Sequence, residues 1–293
     1  MIIVRLKAGL GNQLFQYATG RSLACFHNTA LKLDLSSYRS DDFRQYALSR
    51  FRVEENIATD GDMADVKAVP SRSLGRMFYR VREALVPRFR RRVFEENELG
   101  VYDPSIRKTG PSVYLNGYWQ SEKYFLDIRE ILLREFTLKE PPEEINRGLL
   151  EQIDDTLSVS VHVRRADYLI HAETAKRYLT CGIDYYRDAI LRMTQKLRLK
   201  PHFFIFGDDM EWAKGNLPLS QNTTYVSHNQ QKDYEDLRLI MACKHHIIAN
   251  SSFSWWGAWL GNHPDKTVIA PKYYFKDRKL TMNDWYVPSW LRL

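Results

Sequence analysis

The sequence predicts an α/β protein with two domains, each built around a mainly parallel sheet. Its 293 residues are too many for one simple core and too few for three. Strand-like and helix-like segments alternate near the N-terminus and again over the C-terminal half, which is typical of doubly wound sheets. A proline pair at positions 141–142 precedes the second series. We therefore expect domains over residues 1–150 and 151–293, with a cleft between them.

The first βαβ unit is predicted at the N-terminus. Its parts are, in order, an apolar strand, a glycine turn, a helix and a second strand, at residues 2–6, 8–11, 12–26 and 31–35. A helix that connects two neighbouring strands in this way makes the strands parallel. The chain therefore begins as a doubly wound domain does.

Residues 36–110 show few regular patterns, apart from an arginine-dense piece at residues 72–92. Within it, apolar side chains recur at helical spacing, at Leu74, Met77, Phe78, Val81, Leu85 and Phe89. This spacing predicts an amphipathic helix whose arginines lie mainly on the other faces, in solvent. The alternative is that the arginines contact an anionic membrane surface or a phosphorylated acceptor.

From residue 157 the alternation is regular and predicts the second domain. Strands are expected at residues 157–163, 202–206, 224–227, 245–249 and 267–270. The helices between them are expected at residues 184–197, 210–216, 233–244 and 253–261. Because parallel strands end at the same edge of a sheet, ligand-binding residues are expected just beyond their carboxyl ends.

The composition is that of a folded protein, with 44% hydrophobic and 27% charged residues. A formal net charge of +7 favours an anionic partner, although no nucleic-acid-binding module is recognisable, so no nucleic-acid partner is expected. The three cysteines lack disulfide or zinc spacing, and the N-terminus has no signal-peptide pattern. No apolar run reaches the roughly 18 residues of a membrane span. We therefore expect a cytoplasmic protein.

The first candidate site is the segment His-Val-Arg-Arg-Ala-Asp-Tyr at residues 162–168, where an apolar strand ends. In an extended chain Arg164 and Arg165 point to opposite faces, so one can enter a cleft while the other pairs with a carboxylate such as Asp167. Arginine suits phosphate because its planar group donates paired hydrogen bonds and stays charged. From these residues alone, a phosphate site and a surface ion-pair cluster are equally good interpretations.

A second candidate is the strand-to-helix junction at Ser251, Ser252 and Phe253. A serine there can cap the helix, and the helix N-terminus offers backbone N–H groups to a phosphate. The tryptophans that follow are expected to pack in the core rather than to stack on a substrate; they are Trp255, Trp256 and Trp259.

The third candidate is the glycine turn, which comprises Gly9, Gly11, Asn12 and Gln13. Glycine lets the backbone approach a pyrophosphate closely. The turn lacks the third glycine of a dinucleotide fingerprint, because Leu14 stands in its place. Asp34, at the end of the second strand, resembles the ribose-binding acid of a nicotinamide enzyme. An NAD-dependent oxidoreductase is therefore kept as an alternative.

Three acidic or histidine pairs give weaker signals. Asp60 and Asp62 have the spacing of a metal-bridged nucleotide site, which occurs easily by chance. Asp208 and Asp209 follow a predicted strand, where they could bind a guanidinium, a ribose or nothing. The histidine pair at residues 245–246 has no partner cluster nearby, so no metal site is expected.

Four segments together resemble the bacterial α-1,2-fucosyltransferase family. The family motifs are G-G-L-G-N-Q-x-F-Q-Y-A, G-Y-x-Q-x-x-x-Y-F, H-V-R-R-G-D-Y and a serine- and tryptophan-rich strand-to-helix junction. The matching segments occur in the same order, at residues 8–18, 117–125, 162–168 and 250–259. The resemblance spans residues 1 to about 275, and it is specific because separated motifs keep their order.

The resemblance implies a GT-B-like fold, in which two Rossmann-like domains face each other across a cleft. It implies that the second domain binds GDP-β-L-fucose, and it places the acceptor beside the first. The implied reaction transfers L-fucose with inversion to the 2-hydroxyl of a terminal β-galactoside, in surface polysaccharide or oligosaccharide synthesis, without a metal or cofactor. The implied partners are GDP-fucose and a galactoside acceptor, with peripheral contact to the membrane or a lipid-linked glycan left open. A non-catalytic glycan-binding protein is the other alternative.

The resemblance also implies a role for each motif residue. Arg164 and the helix N-terminus at residues 251–253 would neutralise the charge on departing GDP. His162 and Asp236 would contact guanine, with Asp236 as acceptor for its N1 and exocyclic amine. The glycine turn would close on the pyrophosphate.

The donor site is completed by Arg165 and Asp209, and the general base is left open. Asp167 and Glu173 are the two candidates to take the proton from the acceptor hydroxyl. Ala166 stands where the family has glycine, and its methyl group restricts φ at that position.

Overall fold

The computed structural model describes residues 1–39, 44–70, 73–165, 172–218, 222–280 and 282–293. The chain forms two compact units. The first contains Met1–Lys139 and Asn283–Trp285, and the second contains Glu140–Met282 and Tyr286–Leu293. The division after Lys139 precedes the boundary drawn at residue 150, because the helix Glu144–Asp155 packs within the second unit.

The first unit is built on a parallel four-stranded sheet. Its strands are β1 (Ile2–Arg5), β2 (Leu31–Asp34), β3 (Val93–Glu95) and β4 (Val113–Asn116), in the spatial order β2-β1-β4-β3. Its helices are α1 (Leu10–Phe26), α2 (Asp60–Lys67), α3 (Ser73–Leu85) and α4 (Arg129–Glu135). Short 3-10 segments occupy Ser36–Arg39, Leu48–Arg50, Arg88–Arg90, Pro104–Lys108, Glu122–Tyr124 and Leu126–Ile128. The predicted βαβ start is confirmed, whereas β3 and β4 are additional strands.

Close packing fixes the start of the first unit. The β1 residues Ile2, Ile3 and Val4 are fully buried, so the strand is covered on both faces, as expected for a parallel sheet. Gly20 lets α1 approach the sheet, because an added Cβ would lie 2.9 Å from Leu31 Cδ1 and 3.0 Å from Val4 Cγ1. The turn between β1 and α1 is therefore held by packed elements on both sides.

The second unit is built on a parallel six-stranded sheet. Its strands are β5 (Ser158–Val163), β6 (His202–Gly207), β7 (Thr223–Tyr225), β8 (His245–Ile247), β9 (Val268–Ala270) and β10 (Leu291–Arg292), in the order β10-β9-β8-β5-β6-β7. Its helices are α5 (Glu144–Asp155), α6 (Ala172–Arg177), α7 (Ile183–Leu197), α8 (Met210–Asn216), α9 (Asp233–Ala242) and α10 (Ser252–Leu260). All five predicted strands are present, and β10 is an additional strand.

Helices cover both faces of the second sheet. Along β6, Phe203 and Ile205 pack with Met193 of α7 on one face. The alternate residues, Phe204 and Phe206, join a core on the other face, together with side chains of α5 and α9. This alternation confirms the predicted α/β class and the doubly wound arrangement of helices. The GT-B-like placement of the two domains across a cleft stays a prediction.

Two further findings concern membranes and thiols. Across the described ranges, we find no helix that combines the length and the apolarity needed to cross a membrane. The three cysteines, Cys25, Cys181 and Cys243, are free thiols, and the last two are buried. Cys181 and Cys243 therefore serve as packing residues in the core.

Candidate active site

The carboxyl ends of β5 and β6 lie side by side in the second unit. The strands pair in parallel, with Val163 opposite Gly207. Gly207 has φ +146°, and an added Cβ would lie only 1.9 Å from the carbonyl oxygen of Val163, so only glycine fits there. This close approach brings the two arginines that follow β5 against the two aspartates that follow β6.

Each arginine pairs with one aspartate. Arg164 Nε lies 3.3 Å from Asp208 Oδ2, and Arg165 Nε lies 3.6 Å from Asp209 Oδ2. The backbone N–H of Arg165 also donates to Asp208 Oδ1, at 2.8 Å. Of the three roles open to the aspartates, the structure therefore shows that of guanidinium partner. Asp167, the pairing partner expected from sequence, lies outside the described residues.

The contacts of Arg165 are mainly structural. Its guanidinium carbon lies 4.0 Å from the centre of the Trp212 ring, and Nη1 donates to the carbonyl oxygen of Cys181 at 3.4 Å. Asp209 is likewise engaged, because it caps α8 by accepting the backbone N–H of Trp212 at 3.1 Å. The two side chains hold the end of β5 against α8. Donor contacts by Arg165 and Asp209 stay predictions.

His162, next to the end of β5, is buried and presents an unsatisfied ring nitrogen. Among the described residues, its Nδ1 has no hydrogen-bond partner. Its ring centre lies 5.5 Å from that of Phe253. Burial and the charge of Arg164 lower the pKa of His162 to about 3, against the opposing effect of Asp208. The imidazole is therefore neutral near pH 7 and can form a hydrogen bond with a ligand.

The N-terminus of α10 adjoins His162 through Phe253. Ser251 is the N-cap, and its Oγ accepts the backbone N–H of Phe253 at 3.3 Å. Ser251 therefore has a structural role as the helix cap, and Ser252 is the first residue of α10. The remaining N–H groups of the first turn have no acceptor within the helix, so they and the helix dipole favour an anion. The predicted core packing is confirmed for the three tryptophans, which are at most 4% exposed: Trp255, Trp256 and Trp259.

Asp236 lies near the start of α9 in a polar network. Its Oδ1 accepts a hydrogen bond from Asn229 Nδ2 at 2.9 Å. The neighbouring Glu235 is buried and pairs with Arg238, with Nε and Oε2 2.9 Å apart. Burial, followed by the charges of Asp233 and Glu235, raises the pKa of Asp236 to about 7, although the Asn229 bond lowers it. Both buried polar networks and ligand sites raise the pKa of a carboxyl group in this way, so guanine binding by Asp236 stays a prediction.

The glycine turn in the first unit leads into α1. Gly9 is the N-cap, and its carbonyl oxygen accepts the N–H groups of Asn12 at 2.9 Å and Gln13 at 3.2 Å. The Gln13 side chain donates to the carbonyl oxygens of Ala8 and Gln45 and accepts one backbone N–H. The amide of Gln13 thus holds a neighbouring loop, which leaves the backbone of the turn for a ligand. Pyrophosphate binding stays a prediction for Gly9, Gly11, Asn12 and Gln13.

Ala8 is the strained position of this turn, and it supports a stability prediction. Its φ is +65°, a left-handed conformation that disfavours side chains, and the matching motif has glycine there. We expect Ala8→Gly to raise the free energy of unfolding by about 1 kcal/mol, as measured by urea titration. The matched control is Ala64→Gly on the exposed face of α2, which should lower it by about 1 kcal/mol. Equal effects of the two changes would contradict the assigned strain.

A half-buried carboxylate at the edge of the first sheet is not among the predicted site residues. Glu96 follows β3, and its two oxygens accept the N–H groups of Tyr118 at 2.7 Å and Trp119 at 2.9 Å. Burial raises the pKa of Glu96. Next along the chain, Gln120 donates to Asn12 Oδ1 at 2.6 Å, which joins this segment to the glycine turn. The G-Y-x-Q motif gave a sequence signal for this edge, whereas nothing marked Glu96.

Asp34 is occupied by contacts within the first unit. Its Oδ2 accepts the Tyr114 hydroxyl at 2.5 Å, and its Oδ1 accepts the N–H of Ser36 at 2.8 Å. Only 2% of Asp34 is exposed. Since both carboxylate oxygens are engaged, Asp34 is poorly placed to bind a ribose. The oxidoreductase alternative thereby loses the acid on which it depended.

The weaker candidates have structural roles. Asp62 forms a capping box with Thr59 at the start of α2, and its Oδ1 lies 2.7 Å from Lys32 Nζ. His246 is buried, with Nδ1 2.8 Å from Ser160 Oγ. In the part of the chain that the structure describes, no three His, Cys, Asp or Glu residues are grouped so as to hold a metal ion.

The two candidates for the general base cannot be placed. Asp167 and Ala166 lie outside the described residues. Glu173 lies in α6, but its side chain is outside the described part. The roles of Asp167 and Glu173 stay predictions.

Comparison with known proteins decides the family. The model of "Glycosyl transferase family 11" matches residues 101–293. An alpha-1,2-colitosyltransferase of Escherichia coli is 32% identical over 100% of this chain and 99% of its own length. The chain belongs to glycosyl transferase family 11. It is a glycosyltransferase, and the family membership predicted from the four motifs is confirmed.

Three further known proteins are similar to this chain. The O-antigen biosynthesis glycosyltransferase WbnK of Escherichia coli is 28% identical over 96% of this chain and 98% of that protein. Human galactoside alpha-(1,2)-fucosyltransferase 1 is 30% identical over 62% of this chain and 52% of that protein. Among solved structures, NodZ alpha-1,6-fucosyltransferase soaked with GDP-fucose gives a TM-score of 0.48, at 15% identity over 92% of this chain and 94% of that one.

Proposed function

We propose that this glycosyltransferase transfers L-fucose from GDP-β-L-fucose to the 2-hydroxyl of a terminal β-galactoside, with inversion. The observation that carries the proposal is at the end of β5, where Asp208 holds Arg164 beside the buried, neutral His162. The names of two relatives, an alpha-1,2-colitosyltransferase and a galactoside alpha-(1,2)-fucosyltransferase, support the linkage and the acceptor.

The proposed reaction is a direct displacement at the anomeric carbon. The acceptor oxygen bonds to C1 of fucose as the bond from C1 to the β-phosphate oxygen breaks, and the hydroxyl proton passes to a base. GDP leaves with one more negative charge. Arg164 and the first-turn N–H groups of α10 would neutralise that charge, so no metal ion is required. Asp167 and Glu173 are the proposed bases.

Guanine recognition is assigned to His162 and Asp236. In its ionised form, Asp236 would accept the N1–H and the exocyclic amine of guanine. The unsatisfied Nδ1 of His162 would supply a further polar contact. The backbone of the glycine turn, from Gly9 to Gln13, is the proposed pyrophosphate contact in the first unit.

Colitosyl transfer is the second candidate, because the Escherichia coli alpha-1,2-colitosyltransferase matches the whole chain. Colitose is L-fucose without its 3-hydroxyl, so the two donors differ by one hydrogen-bonding group. If a polar group of the site binds this hydroxyl, that group loses its hydrogen-bond partner when GDP-colitose is bound, and the enzyme discriminates strongly between the two donors. A purely apolar pocket discriminates between them only weakly. The ratio of the kcat/KM values for GDP-fucose and GDP-colitose therefore shows which donor the enzyme uses.

We expect kcat/KM to be at least about 100-fold higher for GDP-fucose than for GDP-colitose, because a site that binds the 3-hydroxyl discriminates strongly. The measurement is GDP release from each donor with a panel of β-galactosides, in the presence of EDTA. The reversed preference would identify GDP-colitose as the donor, and the protein would still be a glycosyltransferase. No release from either donor with any β-galactoside would overturn the proposal.

Ligand-induced stabilisation tests the oxidoreductase alternative separately. A ligand at about 100 times its Kd stabilises a protein by about 2.7 kcal/mol, which raises the melting temperature by several degrees. We expect this shift with GDP and GDP-fucose but not with NAD. Stabilisation by NAD, without stabilisation by GDP or GDP-fucose, would favour an oxidoreductase over the proposed fucosyltransferase.

A further inference from the structure

Helix α3 carries an apolar face that the first unit leaves uncovered. The exposed fractions are 55% for Met77, 64% for Phe78, 52% for Val81 and 81% for Leu85. Their spacing places them on one side of the helix, within an arc of about 100°. The predicted helix is therefore present, but its apolar stripe faces solvent instead of the core.

The opposite side of α3 attaches it to the protein. The Tyr79 hydroxyl donates to the carbonyl oxygen of Lys67 at 2.8 Å, and Glu83 accepts the backbone N–H of Arg92 at 3.0 Å. Gly75 faces Pro70, since an added Cβ would lie 2.9 Å from Pro70 Cβ. Polar and small residues thus anchor the helix, so the orientation that exposes its apolar face is fixed by contacts.

Positive charge surrounds this apolar face. Between residues 73 and 92 the chain has one acidic residue, Glu83, and seven arginines: Arg76, Arg80, Arg82, Arg88, Arg90, Arg91 and Arg92. Arg76, Arg82 and Arg90 are exposed. Arg88 and Arg91 have internal partners, Asp103 for the first and the carbonyl oxygens of Val86 and Ala84 for the second.

We propose that α3 and the arginines beside it form a membrane-docking surface that lies on anionic lipid headgroups. An exposed apolar stripe on one helix, with arginines beside it, matches an interfacial helix better than the surface of a monomer. The net positive charge complements anionic phospholipid and opposes a second copy of the same basic face. The inference does not depend on the donor sugar, because membrane binding needs no turnover.

The test is flotation of the full chain with vesicles, either neutral phosphatidylcholine or phosphatidylcholine mixed with phosphatidylglycerol. We expect binding to the anionic vesicles, which weakens as salt rises, and little binding to the neutral ones. Arg82→Glu and Arg90→Glu should each weaken binding by about fivefold or more, the effect of one charge near an anionic surface. Phe78→Ser with Leu85→Ser should abolish it.

Matched controls come from the exposed face of α7. Leu191 is 56% exposed, and Arg192 beside it is also exposed, so Leu191→Ser and Arg192→Glu repeat the same chemistry elsewhere. They should leave vesicle binding unchanged. All variants alter exposed side chains, so melting temperatures and GDP release with a water-soluble acceptor should match the unaltered protein.

Three results would overturn the proposal. The first is no flotation of the unaltered protein with anionic vesicles. The second is equal loss of binding in the α3 and α7 variants. The third is a dimer, detected by sedimentation velocity, that Phe78→Ser dissociates while vesicles do not bind, because a second copy would then cover the apolar face.

Discussion

Arg164→Ala is expected to lower kcat/KM for GDP-fucose by about 1,000-fold, with little change in melting temperature. The reason is that the guanidinium would neutralise charge that develops on the β-phosphate only as GDP leaves. The side chain is anchored by Asp208, with Nε 3.3 Å from Oδ2, so it is held in position before substrate arrives. Steady-state GDP release, together with the affinity for GDP, measures the loss.

The adjacent arginine is the matched control. Arg165 stacks on Trp212 and donates to the carbonyl oxygen of Cys181, so Arg165→Ala should lower the free energy of unfolding by about 1–3 kcal/mol. Arg164→Lys keeps the charge but loses the paired donors, and we expect it to recover only part of the activity. A larger loss of stability with Arg164→Ala than with Arg165→Ala would show that the two roles have been exchanged.

Sugar binding gives a second readout for Arg164. A non-catalytic glycan-binding protein would keep its affinity for a β-galactoside after Arg164→Ala and would show no GDP binding at all. For the proposed transferase, GDP affinity falls. Retained GDP affinity together with retained GDP release would remove Arg164 from the site.

The sequence predicts the sheets well where one pattern dominates. Strands β5 and β6 are mostly apolar segments followed by turns, and their predicted positions agree with the structure to within one residue. Strand β3 is not predicted, because three residues directly after an arginine-rich stretch give no clear periodicity. The position of α5 in the second unit depends on packing against α9, which is a tertiary contact and leaves no local signal.

The sequence marked polar residues beyond the ends of β5 and β6, but it did not show which of these residues contact one another. The arginines of residues 162–168 do meet the aspartates after β6, because parallel pairing brings the strand ends together. Residue type could not reveal that Gln13 is bound to backbone groups or that Asp209 is a helix cap. Those roles depend on which partners the fold brings near, and sequence spacing does not encode distant partners.

Asp236→Asn is expected to weaken GDP binding by about 1,000-fold, because removing one partner of a buried charged hydrogen-bond pair typically costs 2–5 kcal/mol. The neutral amide would still accept the N1–H of guanine, but its NH₂ group would oppose the exocyclic amine. A complementary base gives a rescue test. Xanthosine diphosphate has a carbonyl oxygen in place of that amine, so the Asn variant should prefer it to GDP. Unchanged GDP affinity would remove Asp236 from the guanine site.

The pH dependence of GDP binding should follow the same carboxyl group. Burial raises the pKa of Asp236 to about 7 in the free protein, while the proposed contact with guanine requires the ionised form. GDP affinity should therefore be constant well above pH 7 and fall about tenfold for each pH unit below it. The Asn variant lacks the titrating carboxyl, so its weaker binding should keep only the shallower pH dependence that comes from protonation of the terminal phosphate of GDP, at about pH 6. An identical profile in both proteins would assign the titration to another group.

The same raised pKa predicts that Asp236 lowers the stability of the fold above pH 4. A carboxyl group whose pKa rises from 3.8 unfolded to about 7 folded holds more protons in the folded state between these values. The free energy of unfolding therefore falls as pH rises from 3.8 to 7, and the loss is complete above 7. Asp236→Asn should thus raise the melting temperature at pH 8 by about 2 °C or more, and should do so far less at pH 4. Stabilisation at pH 8 combined with the loss of GDP binding is the result expected of a binding residue, because a carboxylate kept only for structure would destabilise the fold when replaced.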